Sequence, residues 1–502
     1  MFARSTGATC RCQWLREHEP VTDSRPRTAP IGTSEMLRLA ASYCTGGRLQ
    51  EADALYRRVL SLHPRHPEAL YGRGTIAARM ARGADAIDLL RRAVAAKHDM
   101  APAHADLARL LAQAGRLDDA MGAAQRAVRF GAHLVQSHVV LGEILAERGD
   151  LSAAEAAFVA AVEADPEQAE PRYQLGLVRQ RLGRLDEAAT SLAEALSHAP
   201  KRPDLHYSLG TVLHRQGRLD EAVSAYEQAL RLQPNLAERL FDVGKPRHIH
   251  ALLERGDLTR ALDRLEGFLA RHPGQSCALA LKAIVLDDLG RRDEARQLVD
   301  MRNLITTRTL DGAPGFADVE ALNAALRQHI LGHPTLRAAP ESFSVHRGLT
   351  TGELLGPPRG PVDSFVKVVQ REVELLAASL PEGSTHPFVA HRPRSWTLTM
   401  WANIIEAEGF QVPHIHPSGW LSAVYYVQVP EVVRQSGDRR AGWIEFGEPY
   451  DDIAHRAKPE TMAVQPEAGM LLLFPSYFYH RTLPFEGDEQ RISIAFDVVP
   501  KR

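Results

Sequence analysis

The sequence predicts a multidomain protein in which an all-α superhelix of stacked helical hairpins precedes an α+β domain with a β-stranded core. Three observations predict it. A helix-breaking turn followed by alanine recurs every 34 residues through the first part of the chain, the recurrence stops after Leu304, and from Trp396 onward the pattern becomes short strands separated by Gly, Pro and Asp. At 502 residues the chain is also too long for one hydrophobic core, so two or more domains are expected.

The repeat units read GRLQEA, ARGADA, GRLDDA, GDLSAA, GRLDEA, GRLDEA, GDLTRA and GRRDEA, with alanines at Ala52, Ala86, Ala120, Ala154, Ala188, Ala222, Ala261 and Ala295. Successive gaps are 34 residues, except 39 between Ala222 and Ala261, where an insertion surrounds Gly244-Lys245-Pro246. That period belongs to tetratricopeptide repeats. Pro64, Pro166, Pro200, Pro234 and Pro273 keep the same register, as do Leu141-Gly142, Leu175-Gly176 and Leu209-Gly210. Glycine ends the first helix of each unit, proline stops the second, and the small residues let the two approach closely. No single hairpin can bury its apolar face, so about eight are expected to stack over residues 35–302 into a superhelix with a concave groove. Such a groove suits a peptide or an extended protein segment as partner. A spacer or a dimerisation module is the alternative.

Composition excludes several classes. With 60 basic and 62 acidic residues the formal charge is −2, which leaves no electrostatic footprint for nucleic acid or an anionic membrane. No apolar run reaches the roughly 18 residues of a membrane span, and the first twenty residues lack the apolar stretch of a secretory signal. Residues 1–34 read as a disordered tail, whose early arginines and late acids resemble an organellar transit peptide. Four scattered cysteines, Cys10, Cys12, Cys44 and Cys277, make no disulfide framework and suit a reducing, cytoplasmic setting.

Residues 303–314, containing ITTRTLDGAPG, read as a linker, and 315–502 as the second domain with its β core over about 394–500. Within it ADVEALNAALRQHIL and DSFVKVVQREVELLAASL carry the 3.6-residue spacing of amphipathic helices. The strands expected are TLTMWANII, WLSAVYYVQV, GWIEFG, GMLLLF and RISIAFDVV, a set that suggests a sandwich or barrel.

The chemistry is concentrated in these strands. With 22 histidines among 502 residues, a His-x-His tripeptide is expected by chance about once. The chain has two. His248 and His250 follow Pro246 in a repeat helix, where residues two apart diverge. His414 and His416 lie beside a strand, where residues two apart share a face, and Pro417 favours extended backbone at His416. They can converge on one ion. His480 ends GMLLLFPSYFYH, where the chain re-enters the sheet. Arg491, Ser493, Ala495 and Asp497 then share one face of the last strand, so Arg491 can fork onto a carboxylate with Ser493 adding a third hydrogen bond. Thr397, Thr399, Trp401 and Asn403 share a face of the preceding long strand; Trp401, Asn403 and Tyr426 are candidate cavity-lining residues.

The motifs H-x-H-P, L-S-x-V-Y-Y-V, F-P-S-x-x-x-H and R-I-S-I-A-F-D together make the segment from about Trp396 to Pro500 resemble the 2-oxoglutarate and Fe(II)-dependent oxygenases, whose core is a double-stranded β-helix, or jelly roll. The layout of repeats before an oxygenase is similar to aspartyl/asparaginyl β-hydroxylases. The resemblance implies Fe(II) held by His414 and His480, 2-oxoglutarate held through its distal carboxylate by Arg491 with Ser493, and O2 as co-reactant. The chain departs from the family in one place: His416 stands where these enzymes carry the aspartate of a two-histidine, one-carboxylate triad. Three readings are open. His416 is a third neutral ligand, or it stands aside from a two-histidine site completed by water, or a carboxylate such as Glu445 or Asp451 supplies the oxygen. Two further functions stay open: a cupin-type three-histidine dioxygenase without 2-oxoglutarate, which lacks its expected glutamate since Trp420 and Leu421 stand there, and a non-catalytic repeat scaffold with a degenerate β domain.

Overall fold

The computed structural model of the protein describes residues 32–244, 246–340 and 344–501. Most of the tail expected over 1–34, with Cys10 and Cys12, and Lys245 of the insertion lie outside the described residues. By packing, the chain divides into two compact units between Gln216 and Gly217.

In the first unit the 34-residue period is a series of antiparallel helix pairs: Thr33–Thr45 with Leu49–Leu62, Pro67–Arg79 with Gly83–Ala96, Ala101–Gln113 with Leu117–Phe130, Val135–Glu147 with Leu151–Ala164, and Ala169–Arg181 with Leu185–His198. Helix Pro203–Arg215 follows. The repeating alanines are the contact points: Ala52, Ala86, Ala120, Ala154 and Ala188 are all fully buried. The small residue before each turn has a steric cause. A Cβ on Gly142 would meet the Phe158 ring at 2.7 Å, and one on Gly176 would meet Leu192 at 2.8 Å. Gly149 turns the chain at φ 87°, a conformation open to glycine; the second repeat places Ala81 there instead, at φ 58°.

The second unit begins with helices of the same kind. Leu219–Leu232, Arg247–Arg255, Leu258–Leu269, Ser276–Asp288 and Arg292–Leu298 continue the series, and the longer spacing is taken up by a short extra helix, Leu236–Asp242. His248 points inward, edge-on to Phe241 at 5.7 Å, and burial pushes its pKa down to about 3. It belongs to the core.

Ten strands follow among the described residues: β1 (Thr306–Thr309), β2 (Arg337–Ala338), β3 (Val345–Thr350), β4 (Trp396–His414), β5 (Leu421–Gln428), β6 (Ile444–Phe446), β7 (Met462–Val464), β8 (Met470–Pro475), β9 (His480–Thr482) and β10 (Arg491–Pro500). They form one curled antiparallel sheet in the order β1-β8-β5-β10-β4-β9-β6-β7, with β3 on β4 and β2 on β3. The stretch expected as a linker differs from that reading: its β-branched Thr306–Thr309 pairs with Met470–Leu473 and caps an otherwise open edge. The fold is thus a tetratricopeptide-repeat array followed by a β-rich domain of jelly-roll type.

Two long helices cover the outer face of this sheet. Val319–Leu331 buries Leu322, Leu326 and Ile330, and Val362–Ser379 buries Val362, Phe365, Val369 and Val373, spacings that put each set on one stripe. Tyr425 of β5 points toward them, with its ring 4.8 Å from Phe365 and its hydroxyl donating to Asn323 at 2.7 Å. Alternation then sends Val424 and Tyr426 to the opposite, inner face. That face carries the site.

Two outcomes follow. Gly142→Val should overpack the fourth hairpin against Phe158 and cost about 1–3 kcal/mol in urea unfolding; an unchanged midpoint would show that the glycine is there for another reason. His248 has a folded pKa below its unfolded value of about 6.5, so as pH falls the unfolded chain takes the proton first and stability is lost from about pH 6.5 down to about 3. His248→Leu should remove up to about 1.4 kcal/mol per pH unit from that acid slope, read by denaturation at several pH values, and an identical slope in the variant would contradict this.

Candidate metal centre

The site is built where β4, β9 and β10 meet. In the ladder between β4 and β9, His414 stands opposite His480, and β6 places Phe446 on the other side of His480. The loop after β4 brings His416 back toward both. Ring centroids are 4.2 Å apart for His414 and His480, 5.3 Å for His414 and His416, and 5.2 Å for His416 and His480. One ring nitrogen from each lies within 4.8 Å of the others, an arrangement that can hold a metal ion. His248 and His250 are in no such group among the described residues.

Each imidazole is anchored through Nδ1. His414 donates to the Val412 carbonyl at 2.9 Å and His480 to the Phe478 carbonyl at 3.0 Å. A carbonyl can only accept, so Nδ1 carries the proton and Nε2 keeps its lone pair. His416 uses Nδ1 differently, against the Asp497 carboxylate at 2.5 Å, with Ser422 Oγ at 3.0 Å. Ser422 also donates to Asp497 at 2.7 Å and lies 2.8 Å from Ser476 Oγ. Burial first, and the neighbouring His416 second, lower the pKa of His414 to about 3; burial and the other two imidazoles hold His480 well below the ordinary histidine range. Both rings are neutral at physiological pH, as metal ligation requires.

The three rings face a cavity of about 250 Å³ whose walls include Trp401, Asn403, Gln411, Phe474, Arg491 and Ser493. Arg491 is 1% exposed. Its Nη1 donates to Thr482 Oγ1 at 3.0 Å and its Nη2 to the Tyr426 hydroxyl at 3.3 Å, while the guanidinium carbon sits 5.0 Å from the Tyr426 ring centre. Its Nε is buried with no partner, and no carboxylate pairs with Arg491 among the described residues. A buried cation left this way costs several kcal/mol unless an anion joins it. The cavity therefore presents one unmatched positive charge beside three metal-type nitrogens.

Most residues singled out in the sequence meet here. His414, His416, His480, Arg491, Ser493, Trp401 and Asn403 all line the one cavity. Tyr426 differs: it is fully buried on the same face as Val424 but lies behind Arg491, so it supports the guanidinium and forms none of the wall. Glu445 and Asp451 are not the missing carboxylate. Ile444 turns to the cavity, so alternation sends Glu445 to the opposite face, where Arg481 pairs with it at 2.5 Å, and Asp451 is exposed on a turn. The carboxylate that approaches the site is Asp497, one hydrogen bond behind His416. Its shared face with Arg491 was legible, but its partner lies 81 residues away, beyond any spacing rule.

Comparison with known proteins agrees with this architecture. The family described as "Putative 2OG-Fe(II) oxygenase" matches residues 399–497. The tetratricopeptide repeat family matches 37–102, 106–169 and 173–237, and the N-terminal repeat region of Psidin matches 245–312. The chain thus carries tetratricopeptide repeats followed by a C-terminal domain of the 2-oxoglutarate–Fe(II) oxygenase family. Similar solved structures include TTC0263, a thermophilic repeat protein of Thermus thermophilus (26% identity over 36% of this chain and 99% of that one, TM-score 0.32). Others are pilF of Pseudomonas aeruginosa (15% identity, 42% and 97%, TM-score 0.39) and MamA (22% identity, 33% and 96%, TM-score 0.30). No curated protein sequence matches the chain.

The hydrogen bond from His416 to Asp497 yields a direct test. Asp497→Asn keeps the shape and removes the charge, so Co(II) affinity followed by visible absorption should fall about 10- to 100-fold. Equal affinity in variant and wild type would mean that the Asp497 charge gives the ion no support through His416.

Proposed function

We propose that the C-terminal domain is an Fe(II)- and 2-oxoglutarate-dependent dioxygenase acting as a hydroxylase, and that the repeat array recruits its protein or peptide substrate or another protein partner. The observation that carries the reading is the buried guanidinium of Arg491, with an unpartnered Nε, in one cavity with three imidazoles whose ring nitrogens lie within 4.8 Å of one another. Iron together with 2-oxoglutarate and O2 would supply the oxidising chemistry: substrate C–H, 2-oxoglutarate and O2 become alcohol, succinate and CO2.

The chain's own residues orient and shield. His414, His416 and His480 hold the ion through nitrogens fixed by backbone carbonyls and by Asp497. Arg491 offers its Nε and the remaining hydrogens of its fork to the distal carboxylate of 2-oxoglutarate, and Ser493 adds a hydroxyl from the same strand face. Tyr426 and Thr482 fix the guanidinium beforehand, so little rotamer freedom is lost on binding. Trp401, 5.5 Å from the His416 ring, and the apolar wall at Val424, Ile444 and Phe474 keep water away from the reacting face.

Three imidazoles leave the ion one negative charge short of the usual triad. Asp497 returns that charge one hydrogen bond further out, which supports His416 as the third ligand. A three-histidine site working without cosubstrate leaves the Arg491 cation unmatched, so it is the weaker reading. The cytoplasm is the setting we propose, since four scattered cysteines make no disulfide framework and suit a reducing compartment. No helix among the described residues is long and apolar enough to cross a membrane.

The expected outcome is succinate formation from 2-oxoglutarate by the iron-loaded protein. Arg491→Met should weaken 2-oxoglutarate by at least about 2 kcal/mol, which is about a 30-fold rise in apparent KM, and His480→Ala should abolish turnover. Unchanged rates in both variants would remove the proposal.

A further inference from the structure

The segment between His416 and Trp420 is held from two sides. On the inner side the His416 amide donates to the Ser476 carbonyl at 3.0 Å, and the Gly419 amide closes the turn on the His416 carbonyl at 3.2 Å. A Cβ on Gly419 would collide with Ser476 Oγ, so the turn has no room to move that way. On the outer side stands a repeat helix, Ser276–Asp288, within the same compact unit. Ser276 is 2% exposed and donates its hydroxyl to the Gly419 carbonyl at 2.6 Å. Gln275, the residue that caps this helix by accepting from the Ala278 amide at 2.7 Å, donates its Nε2 to the Phe241 carbonyl at 3.0 Å and to the Pro417 carbonyl at 3.5 Å. The turn's outward carbonyls thus meet the positive end of a helix, where they are best satisfied.

We infer that Ser276 and Gln275 are positioning residues for the metal centre: the last repeat hairpin fixes the His416 turn and thereby sets the third ligand. Nothing in this contact touches His414 or His480, which the strand ladder holds. The inference rests on the metal-centre reading above, and the experiment separates the two.

The experiment titrates Co(II) into the full-length protein. Ser276→Ala and Gln275→Glu should each weaken Co(II) about 10-fold, the low end of what loss of support behind a ligand costs, and change its visible band, while Ser276→Thr, which keeps the hydroxyl, restores the wild-type value. Gln275→Glu retains the oxygen that caps the helix and turns the donor into a charged acceptor facing the Pro417 carbonyl, so it remains informative where Ser276→Ala fails to fold. In a His416→Ala background the Ser276→Ala loss should vanish, because the effect runs through that ring; a purely structural role would leave it intact. Wild-type protein that binds Co(II) with both variants matching it overturns the positioning role alone. Wild-type protein that binds no Co(II) overturns the metal centre and the inference together.

Discussion

A guanidinium without a counter-charge, buried beside a cluster of three imidazoles, is the constraint around which the β domain is organised. Two neutral hydroxyls do not replace the water that the buried Arg491 side chain has lost. The sheet tolerates it because β10 is central, flanked by β4 and β5 along its length, so the strand stays in place whatever its side chain costs. On the proposed function, stability given up to a pre-aimed cation would be recovered when a carboxylate arrives. That behaviour would suit a binding site, whereas a core position is ordinarily filled by an apolar residue.

The metal side follows the same electrostatic logic. Two rings are fixed by backbone carbonyls within their own chain segments, and the third by a carboxylate from β10, the strand that also carries Arg491. On the proposed reading, one strand would set both the electron supply to the ion and the grip on the cosubstrate. A slip of β10 by one residue would turn Arg491, Ser493 and Asp497 outward together, which is why its ten-residue pairing with β4 matters.

Much of this was legible in the sequence, for physical reasons that also mark the limit. The repeat period is enforced by contacts between helices that admit only small side chains, so Gly142 and Ala154 announce the hairpin without coordinates. The strand face of Arg491, Ser493 and Asp497 follows from a period of two. What could not be read was partnership across distance: Asp497 with His416, Tyr426 behind Arg491, and Ser276 of a repeat helix on Gly419 of the metal turn. Strand β1 was hidden because four threonine-rich residues have no pattern until β8 offers them an edge. Strand β4 runs on to His414 past Gly409 and Pro413, residues that end strands unless a neighbour, here β3 and then β9, holds the chain extended.

The proposed chemistry requires a dicarboxylate lying between the three imidazoles and Arg491. A crystal structure grown anaerobically with Mn(II) and 2-oxoglutarate tests this most directly. It should show the ion on His414, His416 and His480 and the distal carboxylate against Arg491 Nε and Ser493. An ion held elsewhere, or a carboxylate that leaves Arg491 Nε without a partner, would contradict it.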